Sequence, residues 1–439
     1  MTRVHRGLRP ALRSRAKGFT LLELMVAAVI AMVAAVTIFQ TMSVSEERRR
    51  STTSGSEGLQ SGVFALASLE RAIVGAGYSL TAISDTTYVS PVRRVVPGSG
   101  FTLSSDTPPR PELHLGCRFT INGQTHRVAP LLAAAGAANG GIATDTLTIF
   151  SGSNPNVPLP VAATGVVDAN ATELTLTSTH GFRVDDWVLV YEQSEAASPG
   201  TERPVACTLT RVTARSVASH QGTITLQAGT AAAYQQPMVI NLGLTPTLER
   251  FVVDGNGRLM VTNLLGTDRA QVLADNVIAM RVQLGIDRGN DDVVDEWVNA
   301  PATIDTWLNP SNPLPPNRVG IPGGGDGGGN GGGNGGGNGG GIGASQARAF
   351  HQIKAVRVGL LIRSPQFERA QEGNGQNGGC TTTDGSNRVI LPARAGDAAS
   401  GLPDMPASGS YSFDGEQRCF RYNTVSAVLG LRNALLSEM

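Results

Sequence analysis

Lysine is almost absent from this 439-residue chain: Lys17 and Lys354 are the only two, so nearly all positive charge is arginine. Net charge is absent as well, with 35 basic residues against 35 acidic. That balance excludes a nucleic-acid binder that relies on a basic face, and equally a strongly acidic solvating protein. Only 16% of residues are charged against 41% hydrophobic, which fits a globular chain long enough for one large or two to three ordinary domains. The four cysteines contain no CxxC pair, which argues against a zinc knuckle or a redox motif. The histidines (His5, His114, His126, His180, His220, His351) form no HExxH pair, and neither a GxSxG elbow nor an SxxK motif occurs. Nothing positive points to catalysis, and no enzyme activity is expected.

Glycine is plentiful but unevenly placed: 15 of the 54 fall in residues 323–341, which read GGGDGGGNGGGNGGGNGGG. A phosphate cradle needs GxxxxGK[ST] between a strand and a helix, and neither the motif nor the context is there. The nonapeptide repeat of calcium-binding β-rolls is missing too. Residues 321–344 are expected to be a flexible loop inserted within one sheet.

What is present is concentrated at the N-terminus. The first eighteen residues carry Arg3, Arg6, Arg9, Arg13, Arg15 and Lys17 and no acid. Phe19 to Met42 then forms an apolar run with one charge, Glu23. Roughly 20 residues at 1.5 Å each cross a bilayer as a helix, and six basic residues on one flank keep that flank cytoplasmic. A secretory signal peptide needs small residues spaced A-x-A near the end of the run, and none occurs between Ala27 and Met42. A plain membrane anchor leaves Glu23 unexplained, because a carboxylate in an apolar helix costs about 2.5–3.5 kcal/mol on insertion scales.

The phrase Lys17-Gly18-Phe19-Thr20-Leu21-Leu22-Glu23 resembles the class III signal of type IV prepilins and pseudopilins. The resemblance implies cleavage by a prepilin peptidase between Gly18 and Phe19, N-methylation of Phe19, and pairing of Glu23 with the terminal amine of a neighbouring subunit. The physics agrees, since an amine and a carboxylate that are each costly in lipid satisfy one another when two helices pack with an axial offset. Ala27, Ala31 and Ala35 repeat every four residues, a small-residue face open to close helix contact; ordinary helix composition gives the same spacing.

Beyond the run, Glu46-Glu47-Arg48-Arg49-Arg50 belongs at the outer interface, and Ser51 to Gly58 reads as a kink or break. A helical pattern resumes at Val63, Leu66, Leu69 and Ile73 and stops at Gly75-Ala-Gly77. From about residue 85 the chain changes to short β runs split by Gly, Pro, Asn and Asp. Strands are expected at Thr146–Phe150, Glu173–Thr179, Trp187–Glu192, Cys207–Val212, Thr223–Leu226, Glu249–Val253, Leu259–Thr262, Val277–Leu284 and Ile353–Ile362. Asp254-Gly-Asn-Gly257 joins two of them as a hairpin turn, and residues 131–141, with no clear period, read as a loop. The spacing without intervening helices argues for antiparallel sheet. The expected fold is therefore α+β and pilin-like: a long N-terminal transmembrane helix followed by an antiparallel β-sheet globular domain. Its parts are a leader at 1–18, the helix at 19–80 with its span about 19–42, a β-rich domain at 85–320, the loop at 321–344, and the C-terminal part of the β domain at 345–439.

Cys117, Cys207, Cys380 and Cys419 all follow the membrane run, so they face an oxidising compartment where disulfides persist. Of three pairings, 117–207 with 380–419 is favoured because each lies inside one region; buried free thiols are the alternative. Asp287, Asp291 and Asp295 stand at positions 1, 5 and 9 of a loop that can wrap a calcium ion. The match is imperfect, with Gly289 at position 3, Asp292 at position 6 and no Glu at position 12, and a solvated turn without metal reads equally well. No other cofactor is expected.

Three phrases are similar to PilW-type minor pilins. They are Leu66 to Tyr78 at the end of the long helix, the Asp-rich turn running to Trp297, and the closing Val428-Leu-Gly-Leu-Arg432-Asn433. That resemblance implies a minor pilin of a type IV pilus, incorporated at the tip or initiation complex to promote assembly. Its partners would be other minor pilins, the major pilin and a tip adhesin, with residence in the inner membrane, the C-terminal domain periplasmic, before transfer to the pilus. A minor pseudopilin of type II secretion and a membrane-anchored adhesin are the alternatives. Cleavage after Gly18 also removes all six leader positives, leaving 29 basic residues against 35 acidic and a mature net charge of −6.

Overall fold

The computed structural model describes residues 20–80, 115–139, 142–155, 160–193, 206–217, 221–266, 269–287, 293–301, 352–367, 383, 388–396 and 403–431. The chain divides into two compact units, residues 1–55 and 56–439, and one helix, α1 (Leu21–Val74), runs through both. The break expected at Ser51–Gly58 does not occur, because helix continues through it. Once a helix is nucleated, Ser and Thr cost only a few tenths of a kcal/mol and Gly about 1 kcal/mol each, too little to stop it.

Two glycines in this part of α1 are packing positions. A Cβ on Gly58 would sit 3.3 Å from the carbonyl oxygen of Arg363, and one on Gly62 would collide with the side chain of Ile362. The buried seam of the helix is Gly58, Gly62, Ala65, Leu69 and Ile73. Leu69 and Ile73 were expected there, but Val63 is 54% exposed. Residues without large side chains carry the first two turns of the seam, so an apolar-period reading places it wrongly. The helix ends as expected: Gly77 takes φ +75°, a left-handed conformation that glycine adopts without cost, and its N–H donates to the Phe150 carbonyl at 2.8 Å.

Every paired strand in the second unit is antiparallel to its neighbour. A short hairpin, β1 (Arg118–Ile121) and β2 (Gln124–Arg127), precedes β3 (Leu131–Asn139) and β4 (Ile142–Ser151). Residues 131–139, expected as loop, are thus a strand. Their alanines hide the period, and Gly136 allows the bulge between Ala135 and Ala138, since a Cβ there would strike the Thr144 carbonyl. The chain then leaves the sheet for β5 (Val161–Ala162), β6 (Glu173–Leu176), β7 (Trp187–Glu192), β8 (Thr208–Arg215), β9 (Gly222–Leu226) and β10 (Pro237–Gly243), and returns at β11 (Thr247–Val253), which pairs directly with β4. Strands β12 (Arg258–Asn263) and β13 (Gln271–Asp275) complete a sheet ordered β13-β12-β11-β4-β3. The turn at 254–257 is formed as expected, with the Asp254 carboxylate accepting the N–H groups of Asn256 and Arg258 at 3.0 and 2.9 Å.

The excursion β5–β10 is a small barrel ordered β5-β10-β7-β8-β9-β6. Ala163 bridges Leu176, and the N–H groups of Thr177 and Thr164 donate to Ala162 and Thr175, so the ladder returns from β6 to β5. Closure removes the free strand edges that an open sheet would expose. Its interior holds Leu174, Phe182, Val188, Val190, Ile224 and Tyr234, while Leu189, Tyr191, Ile240 and Leu242 point outward into the core shared with β4 and α1. Strands β7 and β10 are therefore apolar on both faces, which explains the unbroken run Val188-Leu-Val-Tyr191.

A second sheet is ordered β15-β14-β16-β19, from β14 (Val277–Ile286), β15 (Glu296–Asn299), β16 (Ile353–Arg363) and β19 (Tyr422–Gly430). Strands on both sides of the glycine-rich stretch share it; residues 321–344 lie outside the described residues. Val356, Val358, Leu360 and Ile362 face the core against α1, while Leu361 and Ala279 face the hairpin of β17 (Arg388–Leu391) and β18 (Ser408–Tyr411). Gly359 lets that hairpin close in, because a Cβ there would be 2.5 Å from Leu391.

Gly62→Val should force α1 away from Ile362 and destabilise the fold by about 1–3 kcal/mol. A lower denaturant midpoint with an unchanged slope is the expected result; an unchanged midpoint refutes the seam.

Candidate assembly site

The first turn of α1 is built by Thr20 and Glu23. The Thr20 hydroxyl accepts the Glu23 N–H at 3.2 Å and its carbonyl accepts the Leu24 N–H at 3.1 Å, so Thr20 is the N-cap and Glu23 stands three residues on. A carboxylate at that position opposes the positive end of the helix dipole. Leu21–Met42 is 22 residues long with a mean hydropathy of 2.5, long and apolar enough to cross a bilayer, and none of its most apolar window is buried inside the protein. The hydroxyls within it are satisfied locally: Thr37 donates to Ala34 O at 2.9 Å, and Thr41 to Ile38 O at 2.9 Å. Glu23 differs, because among the described residues nothing pairs with its carboxylate. Gly18 and Phe19, the expected cleavage and methylation positions, lie outside the described residues. Ala27, Ala31 and Ala35 are all exposed on the helix.

Cys117 and Cys207 form a disulfide with Cα atoms 5.7 Å apart. It joins the residue before β1 to the residue before β8, beside an Arg118–Ala206 bridge, and so fastens the barrel to the β1–β2 hairpin. Cys419 is disulfide-bonded as well; Cys380 lies outside the described residues. Of the three aspartates read as a calcium loop, Asp287 is fully buried and donates its N–H to Gln352 O at 2.8 Å. Asp295 donates its N–H to Ile286 O at 2.8 Å, which brings the backbone of Asp295 beside Asp287. Asp291 lies outside the described residues, and among those described no cluster of three or more metal-ligating side chains occurs.

The sequence reading missed a buried polar network between the sheets. The Asp145 carboxylate accepts the Arg281 guanidinium at 2.7 Å and the Val282 N–H at 2.8 Å. Burial pushes the Asp145 carboxyl up from its ordinary range, against the pull of that N–H and that guanidinium. Tyr411 of β18 donates to the Ala143 carbonyl, and burial raises its hydroxyl too. Alongside, Arg357 donates to Gln283 Oε1 at 3.1 Å and to Pro392 O at 2.7 Å, while Gln283 donates to Asn299 Oδ1 and Pro406 O. These bonds tie β4, β14, β15, β16 and the β17–β18 hairpin together. The partners lie up to 268 residues apart, so no local pattern announces them. The one signal available was the placing of Arg281, Gln283 and Arg357 in otherwise apolar strands.

Two family models match the chain. Residues 13–39 match the prokaryotic N-terminal methylation motif, and residues 244–433 match type IV pilus-assembly protein W. No curated protein and no solved structure matches. The matched methylation motif covers Gly18, Phe19 and Glu23, so the unpaired carboxylate and the apolar helix fall inside a class III signal that supports membrane anchoring. Together the two matches make the chain similar to type IV pilus-related pilins. It is PilW-like, and the PilW match covers both sheets from β11 onward but leaves out β1–β4 and the whole barrel.

Arg281→Met should leave Asp145 buried without its cation and cost about 3–5 kcal/mol, whereas an exposed Arg211→Met should cost under about 1 kcal/mol. Urea unfolding of both variants checks the contrast. Cys117→Ser should lower stability by about 2–5 kcal/mol under oxidising conditions, and a midpoint equal to that of the parent protein would show that the disulfide is dispensable.

Proposed function

We propose that this chain is a minor pilin of a type IV pilus that promotes assembly at the tip or initiation complex. The observation that carries the reading is Glu23: one carboxylate, unpaired among the described residues, on an exposed apolar helix inside a matched methylation motif. Hydrolysis of the Gly18–Phe19 peptide bond frees an amine one helical turn before Glu23. In a bilayer both groups are costly alone, and an axial offset between two such helices pairs them. The exposed side chains of Leu21, Leu22, Leu24, Val29, Ile30 and Phe39 then pack against neighbouring helices in the filament core.

The head supports a tip position. Barrel and sheets together occupy residues 115–431, a bulk that would crowd a helical lattice if repeated in every subunit. Its partners are other pilins and the prepilin peptidase, and its route runs from the inner membrane, with the head in the periplasm, to the pilus surface. The role is structural, without a catalytic step of its own.

N-terminal sequencing of the mature protein should begin at a methylated Phe19; an intact Met1 or a cut near residue 42 sinks the reading. Glu23→Ala should be cleaved normally yet enter pili about tenfold less well, roughly 1.4 kcal/mol of lost pairing. Normal incorporation of that variant would remove the pairing role.

A further inference from the structure

Strand β19 is the last strand of its sheet, and no described residue pairs with its outer side. Which backbone groups face outward follows from the register. The ladder runs without a shift from Ala355↔Gly430 to Arg363↔Tyr422, and it is flanked by hydrogen bonds from Ser364 N–H to Arg421 O and from Leu431 N–H to Lys354 O. Antiparallel pairs alternate between bonded and unbonded positions. Odd-numbered residues from Arg421 to Leu431 therefore bond to β16, and Thr424, Ser426 and Val428 turn their N–H and C=O groups away from it.

Exposed edges of this length are normally blunted by charge, proline, a bulge or brevity. Strand β19 has none of these: it is nine residues long, Tyr-Asn-Thr-Val-Ser-Ala-Val-Leu-Gly, uncharged and regular. Elsewhere the fold does manage its edges, since the barrel closes on itself and the Ala135 N–H of β3 is taken by Pro301 O. Beside the β19 edge runs an apolar flank of α1. A Cβ on Gly62 would lie 3.5 Å from Val425, which sets α1 against this strand. Leu66, Leu59 and Val63 follow Gly62 round the helix by about 40–100°, on the side away from Ser61, whose hydroxyl donates to Asp275 O next to β14. Leu59 and Val63 are exposed, and Leu66, Val425 and Ala427 are half-buried.

We propose that this groove, the β19 edge walled by α1, takes an extended, uncharged segment of another pilus protein as an added strand. Thr424, Ser426 and Val428 supply the main-chain bonds, and alternate apolar side chains of the guest fill the flank formed by Leu59, Val63 and Leu66. Strand β19 itself carries no charge for a charged guest strand to pair with. The inference rests on the assembly reading, because it needs a partner within the pilus.

The test is residue-resolved hydrogen exchange on the full-length mature chain, first in detergent micelles and then in purified pili. In micelles the amides of Thr424, Ser426 and Val428 should exchange roughly 100-fold faster than those of Val425 and Ala427, and in pili all five should be slow. Slow exchange at the edge in micelles overturns the proposal, because a second copy or the chain itself already fills it. Fast exchange in pili overturns it as well. Ser426→Pro removes one outward donor without touching the ladder to β16, so it should melt as the parent protein does and enter pili about tenfold less well. Ser426→Ala should enter normally, and equal incorporation of both variants sinks the added strand. A chain missing from pili altogether sinks the assembly reading and this inference with it; a chain present with fast edge amides sinks the inference alone.

Discussion

Strand β16 is buried on both faces along nearly its whole length, and the rest of the head is arranged to keep it so. On one face Gly58 and Gly62 bring α1 close enough to cover Ile362; on the other, Gly359 admits Leu391 of the β17–β18 hairpin. Each close approach depends on a missing side chain, and each completes the burial of aliphatic residues worth about 1.5–3 kcal/mol apiece. The polar pairs Asp145–Arg281 and Gln283–Arg357 then fix which elements meet, because a misplaced strand would strand a charge in the interior. Apolar burial supplies the stability and the buried polar bonds supply the register.

The barrel is added to this arrangement by a conservative device. It interrupts the connection between β4 and β11, two strands that pair directly, so the sheet needs no rearrangement to host it. Its strands β7 and β10 share their outer side chains with the core of the sheets, which makes the excursion part of the same cooperative body. The PilW match begins at residue 244, one residue past the end of β10. The resemblance thus begins where the barrel ends.

Much of this was legible in the sequence where a single physical demand dominates locally. The apolar helix near the N-terminus, the Asp254 turn and the strongly apolar β14 and β16 are formed as expected. Readings failed where side chains are small or partners distant. Residues 131–139 look aperiodic because alanine fits either face of a pleat, yet they form β3. Ser51–Gly58 looks like a break because its composition is poor for a helix, yet α1 continues and its glycines are contacts. Strand β10 was missed, and Asp145 was invisible because its cation is 136 residues away.

The Cys117–Cys207 bond encloses the leading strands of the sheet and the first half of the barrel in one covalent ring. A protease that cuts any single peptide bond between those cysteines opens the ring without dividing the molecule. The two fragments stay linked through sulfur and remain held by the sheets on either side. The same bond that fastens the barrel also makes the loops it encloses tolerant of a single cut.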